Sequence, residues 1–136
     1  MIPLHAWHMT AGWGGMVFGA LLGMVFGLWA ESRQWAGGYG SFRRQMLRLA
    51  HVAAFALGII NVLYAFSAQS LAALPSWAVA AGSGGMIAGG LLMPLVCLAT
   101  AWRRAARHLL AIPAACVAVA LIVQAWGWGA LLASGG

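Results

Sequence analysis

Four histidines are the side chains of this 136-residue chain whose type and spacing suggest chemistry. Arg44 and Arg48 precede His51 by seven and three residues, and Arg104 precedes His108 by four. On helices each imidazole therefore shares a face with cations. A b-type haem asks for two imidazoles from facing helices, an apolar slot and cations for its propionates. Gly58, seven residues beyond His51, leaves the same face bare where a flat ring approaches the backbone. His51 and His108 are thus candidate axial ligands, with Arg44, Arg48 and Arg104 beside them. The simpler account of the same residues is interfacial: arginines that set topology, and histidines that bond to phosphates, backbone or Glu31.

His5 and His8 form a second pair, three residues apart and flanked by Met1 and Met9. Imidazole and thioether donors together suit copper. The pair lacks a third clear ligand, and Pro3 and Trp7 also read as an ordinary interfacial lead-in to a first helix.

Other chemistry finds no residues to carry it. Glu31 is the only acidic side chain, so neither a carboxylate pair for acid–base catalysis nor a hard-metal site exists. No serine or cysteine sits in a nucleophile context with a base and an orienting acid. Gly37, Gly38 and Gly40 read as a flexible turn, without the strand–loop–helix setting of a phosphate-binding loop. Cys97 and Cys116 fall inside apolar stretches and act as small apolar residues. The chain is not read as an enzyme on its own.

The elements that position these residues follow from composition. Hydrophobic residues make up 64% of the chain and charged ones 6%, against about a quarter charged in soluble domains. The chain reads as an all-α, polytopic membrane protein, a single four-transmembrane-helix bundle with spans Ala11–Ala30, Met46–Phe66, Trp77–Ala101 and Leu109–Leu132. All seven basic residues are arginines. Arg33, Arg43, Arg44 and Arg48 separate spans one and two, and Arg103, Arg104 and Arg107 separate spans three and four. This pattern is a topology signal and argues against a nucleic-acid partner. It predicts both basic connections on the cytoplasmic side and both termini on the other, in a bacterial inner (plasma) membrane. The first ten residues lack the basic region of a secretory signal, so span one reads as mature sequence. Trp29, Trp35 and Trp102 fall at the basic ends, and Trp7, Trp13, Trp77, Trp126 and Trp128 at the opposite ends, as interfacial aromatic belts require.

Small residues stand four apart in span one: Ala11, Gly15, Gly19, Gly23 and Gly27, with Gly-Met-Val-Phe-Gly occurring twice. Such a glycine zipper lets helix backbones approach closely, and Gly85 and Gly89 mark a similar face on span three. Pro94 predicts a bend in span three, and Pro113 falls in the tolerant first turn of span four. Asn61 and Gln124 lie at a similar depth, which predicts a hydrogen bond between spans two and four. At about 100° per residue, however, His51 and Asn61 diverge by about 80°, and His108 and Gln124 by about 160°, so one interface does not easily hold both pairs. The sequence therefore predicts a structural or accessory subunit of a larger membrane complex, with a respiratory complex as one setting. It would lie in the lipid bilayer against a membrane-protein partner or a second copy of itself. The alternative is a membrane electron-transfer protein with haem b between His51 and His108.

Overall fold

The computed structural model describes residues 4–29, 32 and 34–135, with residues 68, 69 and 73 by backbone alone. It is all-helical among these residues, with four long helices: α1 (Leu4–Trp29), α2 (Phe42–Phe66), α3 (Ser76–Trp102) and α4 (Ala111–Ala133). Each is long and apolar enough to cross a membrane, α4 together with the 3-10 segment Arg104–Leu110 that leads into it. Short 3-10 segments, Trp35–Gly37 and Ala68–Ala73, lie in the other two connections. The turn after the first of these is made by Gly37 and Gly38, at φ 88° and 92°, where a side chain would be strained.

Two helices begin earlier than hydropathy suggests. α1 starts at Leu4, so His5 and His8 stand on its first turns and not in an extended lead-in. α2 starts at Phe42 because Ser41, with extended backbone, accepts the Arg44 amide at 3.2 Å. Hydropathy tracks the part of a helix that lipid can cover, whereas capping sets where the backbone turns helical. Replacing Ser41 by alanine is expected to cost about 1 kcal/mol, seen as a lower unfolding midpoint in detergent. The Ser41 hydroxyl also donates to the Ala36 carbonyl at 2.6 Å, so the same substitution loosens the turn.

The helices pack in chain order, α1 on α2, α2 on α3 and α3 on α4. α1 reaches α3 as well, but α1 and α4 form no substantial interface. Burial follows this order: 39% and 33% of the most apolar windows of α2 and α3 are buried, against 11% and 17% for α1 and α4. The outer helices therefore each offer one face to the bundle and the rest to their surroundings. A buried cluster of Tyr64, Leu71, Leu74, Ala78, Met86, Ala120 and Val123 lies around the α2–α3 connection. Trp77 and Trp126 meet at that end, with ring centroids 6.0 Å apart.

The arginine-bearing connections meet at the other end. Arg43 Nε donates to the Ala101 carbonyl at 3.2 Å, and the Arg104 guanidinium stands 5.2 Å above the Phe42 ring. Arg44 is buried near the rings of Trp35 and Tyr39, and Arg48 stands 4.1 Å over Tyr39. An ion pair of Glu31 with these arginines falls outside the described residues.

The glycines of α1 are covered by α2. A Cβ on Gly12 would meet the Gly58 carbonyl at 2.8 Å, one on Gly15 the Ala54 carbonyl at 3.2 Å, and one on Gly19 the Phe55 ring at 3.0 Å. Gly23 lies against the His51 ring, 2.6 Å from Cβ position to Cε1. The packed stripe is therefore His8, Gly12, Gly15, Gly19 and Gly23. It is not the strict series of fours, and Gly27 has nothing within 4 Å. Four residues advance a helix by about 400°, so a series of fours drifts off its face by about 40° per step. On α3, Gly85 and Gly89 lie against α4: their Cβ positions lie 2.6 Å from the Cys116 carbonyl and 2.5 Å from Val117 Cγ2. α3 runs through the buried Pro94 as one helix.

Candidate functional site

Two buried polar residues, His8 and Asn61, meet where α1, α2 and α3 come together. Asn61 Nδ2 donates to two main-chain carbonyls, Leu57 at 3.0 Å and Met86 at 3.4 Å. Carbonyls only accept, so the amide nitrogen must face them and Oδ1 must face away. Oδ1 lies 3.0 Å from His8 Nδ1. An amide oxygen also only accepts, so this network assigns the proton to Nδ1 and leaves Nε2 a bare lone pair. His8 is fully buried and its Nε2 has no partner among the described residues. Its ring stacks on Tyr64 with centroids 4.7 Å apart. The Tyr64 and Ser83 hydroxyls lie side by side, but neither oxygen meets the geometry of a hydrogen bond.

This cluster ties three helices together through one amide. It needs the glycine at position 90, whose Cβ would stand 2.8 Å from Asn61 Nδ2. Gln124 does not join it. Gln124 Nε2 donates instead to Ser70 Oγ at 2.6 Å and to the Ser67 carbonyl at 3.2 Å, fastening α4 to the α2–α3 connection. The predicted Asn61–Gln124 bond is thus replaced by two separate ones. α2 and α4 are not a packed pair, so equal depth alone does not make the amides neighbours.

On the outer side of Gly90 runs an apolar groove between α1 and α3. It has two lobes, of about 190 and 320 Å³, which share Gly14, Gly15 and Leu91. Phe18, Pro94 and Leu95 wall one lobe, and Trp7, Thr10 and Ile87 the other. The floor is glycine, and Gly14 has nothing within 4 Å of its Cβ position. The groove exists because α1 leans on α2 and touches α3 only in part.

The histidines expected to share a cofactor are apart. His51 Nδ1 donates to the Gly19 carbonyl at 2.7 Å, and the Nδ1, Cε1 and Nε2 edge of its ring lies against Gly23. A macrocycle reaching this ring would have to part α1 from α2. His108 is exposed on the 3-10 segment Arg104–Leu110, which packs on α3 and α4. These residues do not fit a haem held between the two imidazoles. Of the arginines assigned to its propionates, Arg44 and Arg48 stack on Trp35 and Tyr39 and Arg104 on Phe42, as described above. His5 is exposed while His8 is buried, so the second pair is divided as well. Met1 lies outside the described residues, and among those described no group of three or more His, Cys, Asp or Glu could hold a metal.

Sequence reasoning did not find Tyr64, Ser83 or Gly14. One signal for His8 was present: it stands four residues before Gly12 and continues the stripe that α2 covers. The chain matches no family model, no curated protein and no solved structure.

Proposed function

We propose that the chain is a small integral membrane protein that acts as a structural or accessory subunit of a larger membrane complex, receiving an apolar helix of a partner in the α1–α3 groove. The observation that carries this reading is the groove's glycine floor, above all Gly14, whose face is open. Membrane helices associate by close backbone packing, since lipid tails compete equally for apolar side chains. A furrow floored by Gly14, Gly15 and Gly90 and walled by Phe18, Leu91 and Leu95 offers a partner helix both close approach and shape. In this reading the arginine-bearing end faces the cytoplasm and both termini face the other side of a bacterial inner membrane. A respiratory complex is one setting for such a subunit.

The test uses the open glycine. A Cβ at Gly14 meets nothing within 4 Å and opens into the groove, so Gly14→Leu should fold as well as the parent, within about 0.5 kcal/mol. It should nevertheless release the protein from its complex on native electrophoresis in mild detergent. Gly84 is equally open and exposed but lies outside the groove, so Gly84→Leu should stay in the complex. Retention of Gly14→Leu, or a parent protein that migrates alone, would overturn the reading.

A further inference from the structure

The arginine-bearing end holds a second cavity, of about 350 Å³, and it differs from the groove in being largely polar. Ser41, Phe42 and Arg43 line it from the start of α2, Ala101 and Trp102 from the end of α3, and Arg104 from the connection beyond. None of its lining residues is acidic. Each of the two arginines is held in place with no ion pair among the described residues. Arg43 is pinned through Nε to the Ala101 carbonyl, which leaves its two terminal nitrogens without a hydrogen bond among the described residues. Arg104 is steadied over Phe42 and makes no hydrogen bond among them. The positive end of the 25-residue α2 dipole opens on the same space.

Planar guanidinium groups fit the oxygens of a phosphate better than any other side chain does. The cavity also has a membrane-facing rim, because Trp102 is 63% exposed beside it. An indole at this position belongs at headgroup level. The geometry points to a binding site for a phosphate oxyanion between Arg43 and Arg104, the phosphodiester of an anionic phospholipid being the source that the Trp102 rim favours. This inference rests on the reading that the four helices span a bilayer.

The other arginines provide the control. Arg107 is exposed on the 3-10 segment but does not line the cavity. A diffuse surface potential would use Arg107 as readily as Arg104, whereas a built site uses only the residues that line it. An arginine in contact with an anionic headgroup contributes about fivefold in binding.

The full chain is reconstituted into vesicles of phosphatidylcholine with a minor fraction of phosphatidylglycerol, and the lipid retained after extraction in mild detergent is counted by native mass spectrometry. Phosphatidylglycerol should be retained over phosphatidylcholine, and Arg104→Gln should weaken that retention about fivefold. Arg43→Gln should do the same. Since Arg43 also caps α3, Arg43→Lys serves as its folding control, keeping the charge while losing the planar fork. Arg107→Gln should change retention less than twofold. Inorganic phosphate forms the second arm. Displacement of the retained lipid by millimolar phosphate, with the same sensitivity to Arg104→Gln, would keep the oxyanion site and identify its source as soluble. Equal retention of the two lipids, or equal losses in the Arg104 and Arg107 variants, would overturn the site. Resistance to carbonate extraction from the vesicles checks membrane insertion separately, so a failure of the membrane reading is distinguishable from a failure of the site.

Discussion

Replacing Gly58 with leucine is expected to separate α1 from α2 and to destabilise the bundle more than any other single substitution considered. The reason is the identity of the opposing atoms. A Cβ at Gly58 would lie 2.8 Å from the Gly12 carbonyl oxygen and 3.0 Å from the Met16 amide nitrogen, with Met16 Cγ at 2.9 Å. Two of these atoms are backbone and cannot rotate away. Gly12 faces Gly58 reciprocally, its own Cβ position being 2.8 Å from the Gly58 carbonyl. Even alanine must push the helices apart, at about 1–3 kcal/mol for an overpacked contact. Leucine adds three more carbons at the same place and should exceed the upper end of that range, about 3 kcal/mol. Once α1 moves, His8 leaves Asn61 and His51 leaves the Gly19 carbonyl, so the loss spreads along the whole interface. Unfolding in mixed micelles, followed by tryptophan fluorescence, measures it. Gly84→Leu is the reference, because nothing lies within 4 Å of its Cβ position. If Gly58→Leu and Gly84→Leu unfold together, the α1–α2 packing described here is wrong.

This contrast between Gly58 and Gly84 also marks the limit of the sequence. Both are glycines in apolar helices, and no composition argument separates them. Four spans were legible because about 20 apolar residues are what a bilayer requires, and nothing else in the chain had to be known. The aromatic belts are read in the same way, as an expectation about depth. Which helix covers which face depends on neighbours, and neighbours are not local. Asn61 and Gln124 were matched by depth, yet Asn61 bonds to α3 and Gln124 to the α2–α3 connection. His51 and His108 were matched by depth as well, yet His51 faces α1 while His108 is exposed. On α1, α2 covers Gly15, Gly19 and Gly23, while Gly27 stands clear because a repeat of four outruns the helical period. One interval of three, from Gly15 to Gly12, brings the stripe back to its face and on to His8.

His8 and Asn61 should behave as one unit, and a double-mutant cycle shows it. Asn61→Leu leaves the His8 Nδ1–H without its acceptor inside an apolar interface, a loss of about 1–3 kcal/mol for a buried donor left unpaired. His8→Phe keeps a ring against Tyr64 but leaves Asn61 Oδ1 without its donor. Once either partner has gone, removing the other leaves nothing further unpaired. The double variant should therefore cost less than the sum of the two, with a coupling of about 1 kcal/mol, within the range found for hydrogen bonds between membrane helices. Tyr64→Phe is the internal control: it removes a buried hydroxyl that makes no hydrogen bond, so stability should hold to within about 0.5 kcal/mol or rise. Nitrogen-15 shifts of the imidazole give a second readout, independent of stability. His8 should carry a proton at Nδ1 in the parent, because Asn61 Oδ1 has no proton to give, and it should lose that preference in Asn61→Leu. A strictly additive cycle, or an Nε2-protonated His8 in the parent, would mean that the amide is not fixed by Leu57 and Met86, and the three-helix junction would lose its organising residue.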